Sequence, residues 1–229
     1  MRIVSLLPSS TEIVCKLGFC KNLVGVSHEC DYPVSVKDLP ILTKPRFSPI
    51  ESSQEIDNSV QDLLKKGLSV YEVNTDLLKK LAPDLIITQA QCEACAVSLN
   101  DVKEAVSDWV GNKPDIVSLE PNYLDEVWSD FERVGEKLNC TDSYLKFKSE
   151  IEQRLEKLKQ KSQQIIKRPS VVCVEWIDPL MIAANWVPEL VDIAGGINLL
   201  SNPGSHSHIF NWEEIIESNP EFIIMMPCG

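Results

Sequence analysis

The sequence predicts an α/β protein with two lobes that are joined by a long helix. Short apolar strands alternate with amphipathic helices over residues 1–118, and the same alternation resumes after Arg168-Pro169. Between them, residues 143–166 contain neither Pro nor Gly and carry apolar residues at helical spacing. Such alternation is typical of mostly parallel sheets, so we expect two Rossmann-like lobes, the second one shortened. The expected domains are an N-terminal α/β lobe (1–121), a helical connector (122–168) and a C-terminal α/β lobe (169–229).

The N-terminal lobe is expected to have four buried strands. These strands are 3–7, 23–27, 85–88 and 116–119. A helix that Ser9 or Ser10 caps should follow the first strand and end at Gly18. A second helix should begin at Thr75, a third should cover 92–110, and the Pro- and Ser-rich stretch 40–53 is expected to be a loop.

The connector and the C-terminal lobe differ in their patterns. Apolar residues recur at helical spacing from Leu124 to Leu138, and a second helix is expected over 143–166, long enough to act as a stiff strut. In the last lobe we expect strands over 170–176 and 222–226 and helices over 187–194 and 212–218.

Composition excludes several classes of function. The chain has 229 residues and a net charge of −12, which disfavours nucleic acids and anionic membrane surfaces. Its apolar stretches, such as 222–226, fall far short of the roughly 18 residues of a bilayer helix. Because Pro8 interrupts the N-terminal apolar stretch, we expect no signal peptide and a cytoplasmic location. The 8 cysteines are then expected to be thiols.

Candidate binding residues follow the predicted strands. Ligands of open α/β sheets bind beyond the carboxyl ends of the strands, so residues at these positions are expected at one edge. His28, Glu29 and Cys30 follow the second strand, and Trp176 ends a strand of the last lobe. Gln91, Cys92 and Cys95 follow the strand that begins at Leu85, and Cys228 follows the final strand.

The Cys92-x-x-Cys95 motif is the sharpest local signal. The two sulfurs lie one helical turn apart at an expected helix start, where the dipole favours thiolate. Together with Cys30 and Cys228 they form a candidate zinc or iron–sulfur site. Two other interpretations stay open: small residues that line a cleft, and a dithiol redox pair.

The chain resembles the helical-backbone metal receptor superfamily. The opening segment 2–12, the order lobe, long helix, lobe, and the segments 26–33, 88–98, 118–121, 184–196 and 226–229 carry the resemblance. It is most similar to the cobalamin-binding branch that lacks a signal peptide. The resemblance implies an inter-lobe cleft that binds a corrinoid or another metal chelate, and a further helical segment after Gly229. Trp176 and Trp186 could stack on a planar ligand there, or be core residues; His206 could be an axial ligand, or a solvated loop residue.

These observations favour a ligand-binding protein related to the substrate-binding proteins of ABC importers. The alternative is a cysteine-ligated metalloprotein or redox protein that uses Cys30, Cys92, Cys95 and Cys228. A third hypothesis is an interaction protein with a vestigial cleft. Nucleophile–base and phosphate-binding motifs are lacking, so we do not expect an enzyme. The apolar run 222–226 predicts self-association through the C-terminal lobe, or else local unfolding of that lobe.

Overall fold

The structure, a computed structural model, describes residues 1–48, 50–66, 68–90, 97–107, 109 and 113–227. The chain forms two compact units. The first comprises residues 1–51, 58–120 and 130–147, and the second comprises 52–57, 121–129 and 148–229. Gln91, Cys92, Cys95 and Cys228 lie outside the described residues.

The first unit is built on a parallel sheet of four strands in the order β2-β1-β5-β6. The strands are β1 (Ile3–Ser5), β2 (Leu23–Val26), β5 (Leu85–Gln89) and β6 (Asp115–Leu119). A separate antiparallel pair consists of β3 (Thr43–Pro45) and β4 (Tyr71–Val73). The unit's helices are α1 (Pro8–Lys16), most of α2 (Ser53–Lys65), α3 (Thr75–Leu81) and α4 (Leu99–Ala105).

Buried side chains lie on both faces of this sheet. Ile86 and Ile87 are both fully buried, yet they belong to two different apolar clusters, because successive strand residues point to opposite faces. The first cluster includes Val14 of α1, and the second includes Leu78 of α3 and Val102 of α4. A parallel sheet with both faces covered is the arrangement that the near-continuous apolar strands predict.

Besides α2, two further helices contribute residues to both units. α5 covers Leu124–Lys137, and α6 covers Thr141–Ser162 as an unbroken helix of 22 residues. The expected continuity of the long helix is therefore confirmed, although it ends four residues earlier than residue 166. Among the described residues, we find no helix that has both the length and the apolar character of a membrane span.

The second unit contains a mixed sheet in the order β10-β8-β7-β11, with β9 also paired to β7. β7 (Ser170–Ile177) forms a hairpin with β8 (Leu180–Ile182), which was not expected from the sequence. The remaining elements are α7 (Val187–Ala194), β9 (Ile197–Asn198), β10 (His208–Ile209), α8 (Trp212–Ser218) and β11 (Phe222–Met225). The α/β fold class is confirmed, but the antiparallel hairpin makes this sheet mixed and gives it more strands than the two predicted.

The edge strand β11 exposes apolar side chains on both faces. Phe222, Ile223, Ile224 and Met225 are each 45–57% exposed, and among the described strands β11 pairs with β7 alone. Exposed apolar edge strands are templates for pairing with another chain.

We therefore expect self-association at micromolar concentration, measured by light scattering, and a monomer after Ile224→Lys. Ile166→Lys, at a fully exposed position in the same unit, is the control and should not change the mass. A monomeric wild-type protein would contradict this expectation.

The buried carboxyl of Asp130 should make stability depend on pH. Asp130, on α5, is 3% exposed and forms an ion pair with Arg133. Burial raises the pKa of the Asp130 carboxyl, and the Arg133 guanidinium opposes that rise only in part. Because the folded pKa lies above the unfolded one, this group's contribution to stability is full at low pH. That contribution is lost as the pH rises through the folded pKa.

We therefore expect Asp130→Asn to be more stable than wild type at pH 7, since it removes a buried charge. The difference should vanish below about pH 4, where the aspartate of the unfolded chain is protonated. Urea unfolding at several pH values measures this, and the exposed Asp62→Asn on α2 is the control. Equal stability of Asp130→Asn and wild type at every pH would refute the prediction.

Candidate functional site

A polar cluster lies at the carboxyl end of β2. Ser27 and His28 directly follow this strand, and the segment before β3 runs beside them. The Val26 N–H donates to the Pro40 carbonyl oxygen over 3.0 Å, and the Leu42 N–H donates to the Val26 carbonyl oxygen over 2.9 Å. This pairing brings Thr43, the first residue of β3, next to His28.

Thr43 is the centre of this cluster. Its hydroxyl accepts a hydrogen bond from the His28 backbone N–H (3.0 Å) and lies 2.7 Å from His28 Nδ1. The same hydroxyl donates to Ser27 Oγ over 3.1 Å. Ser27 Oγ also accepts from the Glu29 backbone N–H over 3.3 Å. Thr43 and Ser27 are buried, so they form a fixed base under His28 and Glu29.

Tyr71, from β4, forms the side of the cluster. Its hydroxyl donates to Glu29 Oε1 over 3.4 Å, and its ring centroid lies 5.4 Å from that of His28. β4 places Tyr71 here because Tyr71 pairs with Pro45 across the β3–β4 ladder. We call Ser27, His28, Glu29, Thr43 and Tyr71 the His28 cluster.

Two titratable groups of the His28 cluster reach solvent. The side chains of His28 and Glu29 are 24% and 35% exposed, and His28 Nε2 lies 4.0 Å from Glu29 Oε1. Burial lowers the pKa of the His28 imidazole and raises the pKa of the Glu29 carboxyl. Both shifts favour the neutral forms, which bind through lone pairs and hydrogen bonds. The cluster can therefore hydrogen-bond a ligand or coordinate a metal that the ligand carries.

Cys30 does not have the environment of a metal ligand. It is 6% exposed, and its sulfur accepts a hydrogen bond from Thr11 Oγ1 over 3.1 Å. Burial raises the pKa of the Cys30 thiol, although the hydrogen bond from Thr11 opposes this. The thiolate that zinc or iron–sulfur clusters need is thus disfavoured at this position.

The predicted cysteine site gains no support from the structure. Within the described part of the chain, no group of three or more His, Cys, Asp or Glu residues is placed to hold a metal ion. Gln91, Cys92, Cys95 and Cys228 lie outside the described residues, so their roles stay predictions.

Thr11 belongs to a buried chain of hydroxyl groups below α1. Thr11 Oγ1 donates to Ser5 Oγ over 2.7 Å, and Ser5 Oγ lies 2.5 Å from Ser10 Oγ. The prediction that Ser9 or Ser10 caps α1 is wrong: the helix begins with Pro8, and Leu7 at its N-cap makes no side-chain cap. Ser10 lies within the helix, where its hydroxyl bonds inward to Ser5 and to the Leu7 carbonyl oxygen.

The second unit contains three of the predicted residues, on β7, at the start of α7 and on the loop between β9 and β10. Trp176 is half-buried near the end of β7, and its indole N–H donates to the Asp178 carbonyl oxygen over 3.0 Å. Trp186, half-buried, is the N-cap residue of α7. His206 is exposed, and the residues on either side of it bond to the segment before Trp186. The Asn185 N–H donates to Ser205 O (2.8 Å), and the Ala184 N–H donates to Ser207 Oγ (3.3 Å).

Glu175 is the residue of this second group that the sequence did not single out. Burial raises the pKa of the Glu175 carboxyl, and a hydrogen bond from Ser207 opposes this rise. Through Ser207, the His206 loop is thus bonded both to Glu175 of β7 and to Ala184, in the segment before α7. Trp176, Trp186 and His206 remain predicted ligand contacts, now with defined positions within this unit.

His28 and Glu29 were candidate residues from the sequence, whereas Thr43 and Tyr71 were not. Thr43 lies in the stretch that was expected to be a loop, and the pairing of residues 40–42 with Val26 brings it to His28. The run Val70-Tyr71-Glu72-Val73, rich in β-branched and aromatic residues, was the signal that could have predicted β4.

One family of known proteins matches nearly the whole chain. Residues 3–229 match the family described as periplasmic binding protein. A search of curated proteins finds no match.

Several solved structures share the fold. The vitamin B12-binding protein BtuF of Vibrio cholerae is 20% identical with a TM-score of 0.68, over 98% of this chain and 75% of that one. The heme-binding protein HutB of Vibrio cholerae is 16% identical with a TM-score of 0.71, over 98% and 76%. An ABC transporter substrate-binding protein from Listeria monocytogenes is 17% identical with a TM-score of 0.69, over 100% and 76%.

At these identities the solved structures establish the fold and not the ligand. The family match covers nearly the whole chain, and it agrees with the resemblance that the sequence motifs indicated. The protein belongs to the periplasmic binding protein family, within the helical-backbone metal receptor superfamily.

Proposed function

We propose that this chain is a solute-binding protein of the type that serves ABC importers, and that its ligand is a metal chelate. A corrinoid is the first candidate. The proposal rests on the family match and on the names of proteins with the same fold, which bind vitamin B12 or heme. In this function the protein holds its ligand and returns it unchanged, so no catalytic group is needed.

The His28 cluster is the observation that carries the proposal. An imidazole and a carboxyl reach solvent side by side while buried hydroxyl groups and Tyr71 hold them in place. Ligand sites commonly combine a few fixed polar groups with larger apolar contacts. The imidazole suits the metal of a chelate, and the Glu29 carboxyl suits polar groups at its periphery.

Titration with a panel of chelates tests the proposal. The panel comprises hydroxocobalamin, hemin and a ferric trihydroxamate, with metal-free protoporphyrin as the matched control for hemin. We expect one class to bind with one-to-one stoichiometry and a dissociation constant below about 10 µM, measured from ligand absorbance and from quenching of tryptophan fluorescence. If no chelate binds, or if protoporphyrin binds as tightly as hemin, the proposal is wrong.

A further inference from the structure

We propose that Thr43 is a positioning residue that holds the His28 ring as the Nδ1–H tautomer, so that Nε2 presents its lone pair to the chelated metal. This inference rests on the proposed function for the identity of the ligand. The tautomer itself belongs to the ligand-free protein. If Nε2 binds the metal, the ligand is a chelate whose metal has an axial position open to a nitrogen donor.

Thr43 Oγ1 makes three contacts within the His28 cluster, and its proton and lone pairs determine which group donates in each. A hydroxyl has one proton to donate and two lone pairs that accept. The proton goes to Ser27 Oγ over 3.1 Å. One lone pair accepts from the His28 backbone N–H over 3.0 Å. The remaining contact, 2.7 Å to His28 Nδ1, must therefore be a bond in which Nδ1–H is the donor.

The other ring nitrogen, Nε2, is then the unprotonated one. In a neutral imidazole only one nitrogen carries a proton, so Nδ1–H leaves Nε2 with an in-plane lone pair. Glu29 Oε1 lies 4.0 Å from Nε2, which is too long for a hydrogen bond. No hydrogen bond from the described residues ends at Nε2, and the His28 side chain is partly exposed. Among the described residues, nothing hydrogen-bonds this lone pair, and the other edge of the ring is fixed by Thr43.

The Nδ1–H tautomer suits coordination of a metal through Nε2. Metal-binding histidines usually donate their second N–H to a carboxylate, a carbonyl or a similar acceptor, which fixes the ring and strengthens the metal bond. The Thr43 hydroxyl is this acceptor for His28, and the tilted ring of Tyr71 restricts rotation of the His28 ring. A chelate with a labile axial ligand, such as hydroxocobalamin, meets the requirement. Cyanocobalamin, whose upper position carries a firmly bound cyanide, meets it less well.

The tautomer can be measured without a ligand. The chain has 3 histidines, so a long-range ¹H–¹⁵N spectrum of histidine-labelled protein resolves each ring, and His28→Asn assigns the His28 signals. We expect Nδ1–H at His28 in wild type and in Thr43→Ser. In Thr43→Val, which keeps the shape of the side chain but removes the acceptor, Nδ1–H should give way to Nε2–H. A wild-type ring protonated at Nε2 overturns the inference, whatever the chelates do, and it can be observed even if the valine variant fails to fold.

Binding of the chelate provides the second readout. Thr43→Val should weaken hydroxocobalamin binding by about 10- to 100-fold, the usual effect of losing a group that orients a metal ligand. Thr43→Ser should keep the wild-type affinity, and cyanocobalamin should be affected less than hydroxocobalamin. Equal affinities of wild type and Thr43→Val overturn the inference. A wild-type protein with Nδ1–H that binds no chelate contradicts the proposed function and the metal-binding part of the inference, while the tautomer stands confirmed.

Discussion

Replacing His28 by alanine should weaken the binding of the chelate by on the order of a hundredfold or more. Loss of a residue that merely orients a metal ligand costs about 10- to 100-fold, and loss of the ligand itself should cost at least as much. The substitution also leaves the Thr43 hydroxyl without the Nδ1 donor that it contacts at 2.7 Å. Absorbance titration with hydroxocobalamin and hemin measures the effect, and the band that reports nitrogen coordination should disappear.

His208→Ala is the matched control for this substitution. His208 lies in the second unit, is exposed, and packs on Phe210 with a centroid distance of 4.4 Å. It belongs to neither group of candidate ligand contacts, so its removal should change affinity less than about threefold. Addition of free imidazole to His28→Ala should restore part of the coordination band. Unchanged binding in His28→Ala would show that the His28 cluster does not bind the ligand.

Replacing Ile87 by alanine should lower the free energy of unfolding of the first unit by about 3 kcal/mol, within the range for large-to-small changes in well-packed cores. Ile87 is fully buried on β5, which lies between β1 and β6 in the sheet. Its neighbours in the core include Val14 and Val117, which come from separate elements and cannot collapse fully into the cavity. Urea denaturation followed by circular dichroism measures the loss.

Ile50→Ala provides the control in the same unit. Ile50 is 92% exposed, so the same loss of atoms should change the free energy of unfolding by less than about 0.5 kcal/mol. A second test uses Ile86→Ala, which removes the same atoms on the opposite face of the sheet and should cost a similar amount. If Ile87→Ala and Ile50→Ala were equally stable, the description of this core would be wrong.

Elements with strong local signals could be predicted from the sequence. The bounds of α7 and α8 agree with the predicted ranges, because Gly195 ends one helix and the Asn211 capping box begins the other. Both of these signals lie within a few residues of the helix ends, where local chemistry decides the conformation.

Elements that depend on distant partners could not be predicted. β3 and β4 are each three residues long and exist because they pair with each other across a separation of about thirty residues. The hairpin partner β8 is likewise only three residues, too short for a periodic pattern. Strands of this kind gain their stability from tertiary pairing, which a single sequence does not display.

The candidate site likewise combines residues with a local sequence signal and a residue that depends on distant pairing. The strand-end rule identified His28 and Glu29, because β2 was evident from its own apolar residues. Cys30 is adjacent in sequence but lies in the core next to Thr11, and residue type alone did not distinguish a buried thiol from a ligand. Thr43, which contacts the His28 ring, could not be predicted, because it reaches His28 through the pairing of the preceding residues with Val26.

The most direct test of the central claim, that His28 binds the metal of a chelate through Nε2, is a crystal structure of the protein loaded with hydroxocobalamin or hemin. We predict a distance of about 2.1 Å between His28 Nε2 and the metal, with Nδ1 still bonded to Thr43. A metal bound by another side chain, or a chelate bound away from the His28 cluster, would contradict the account.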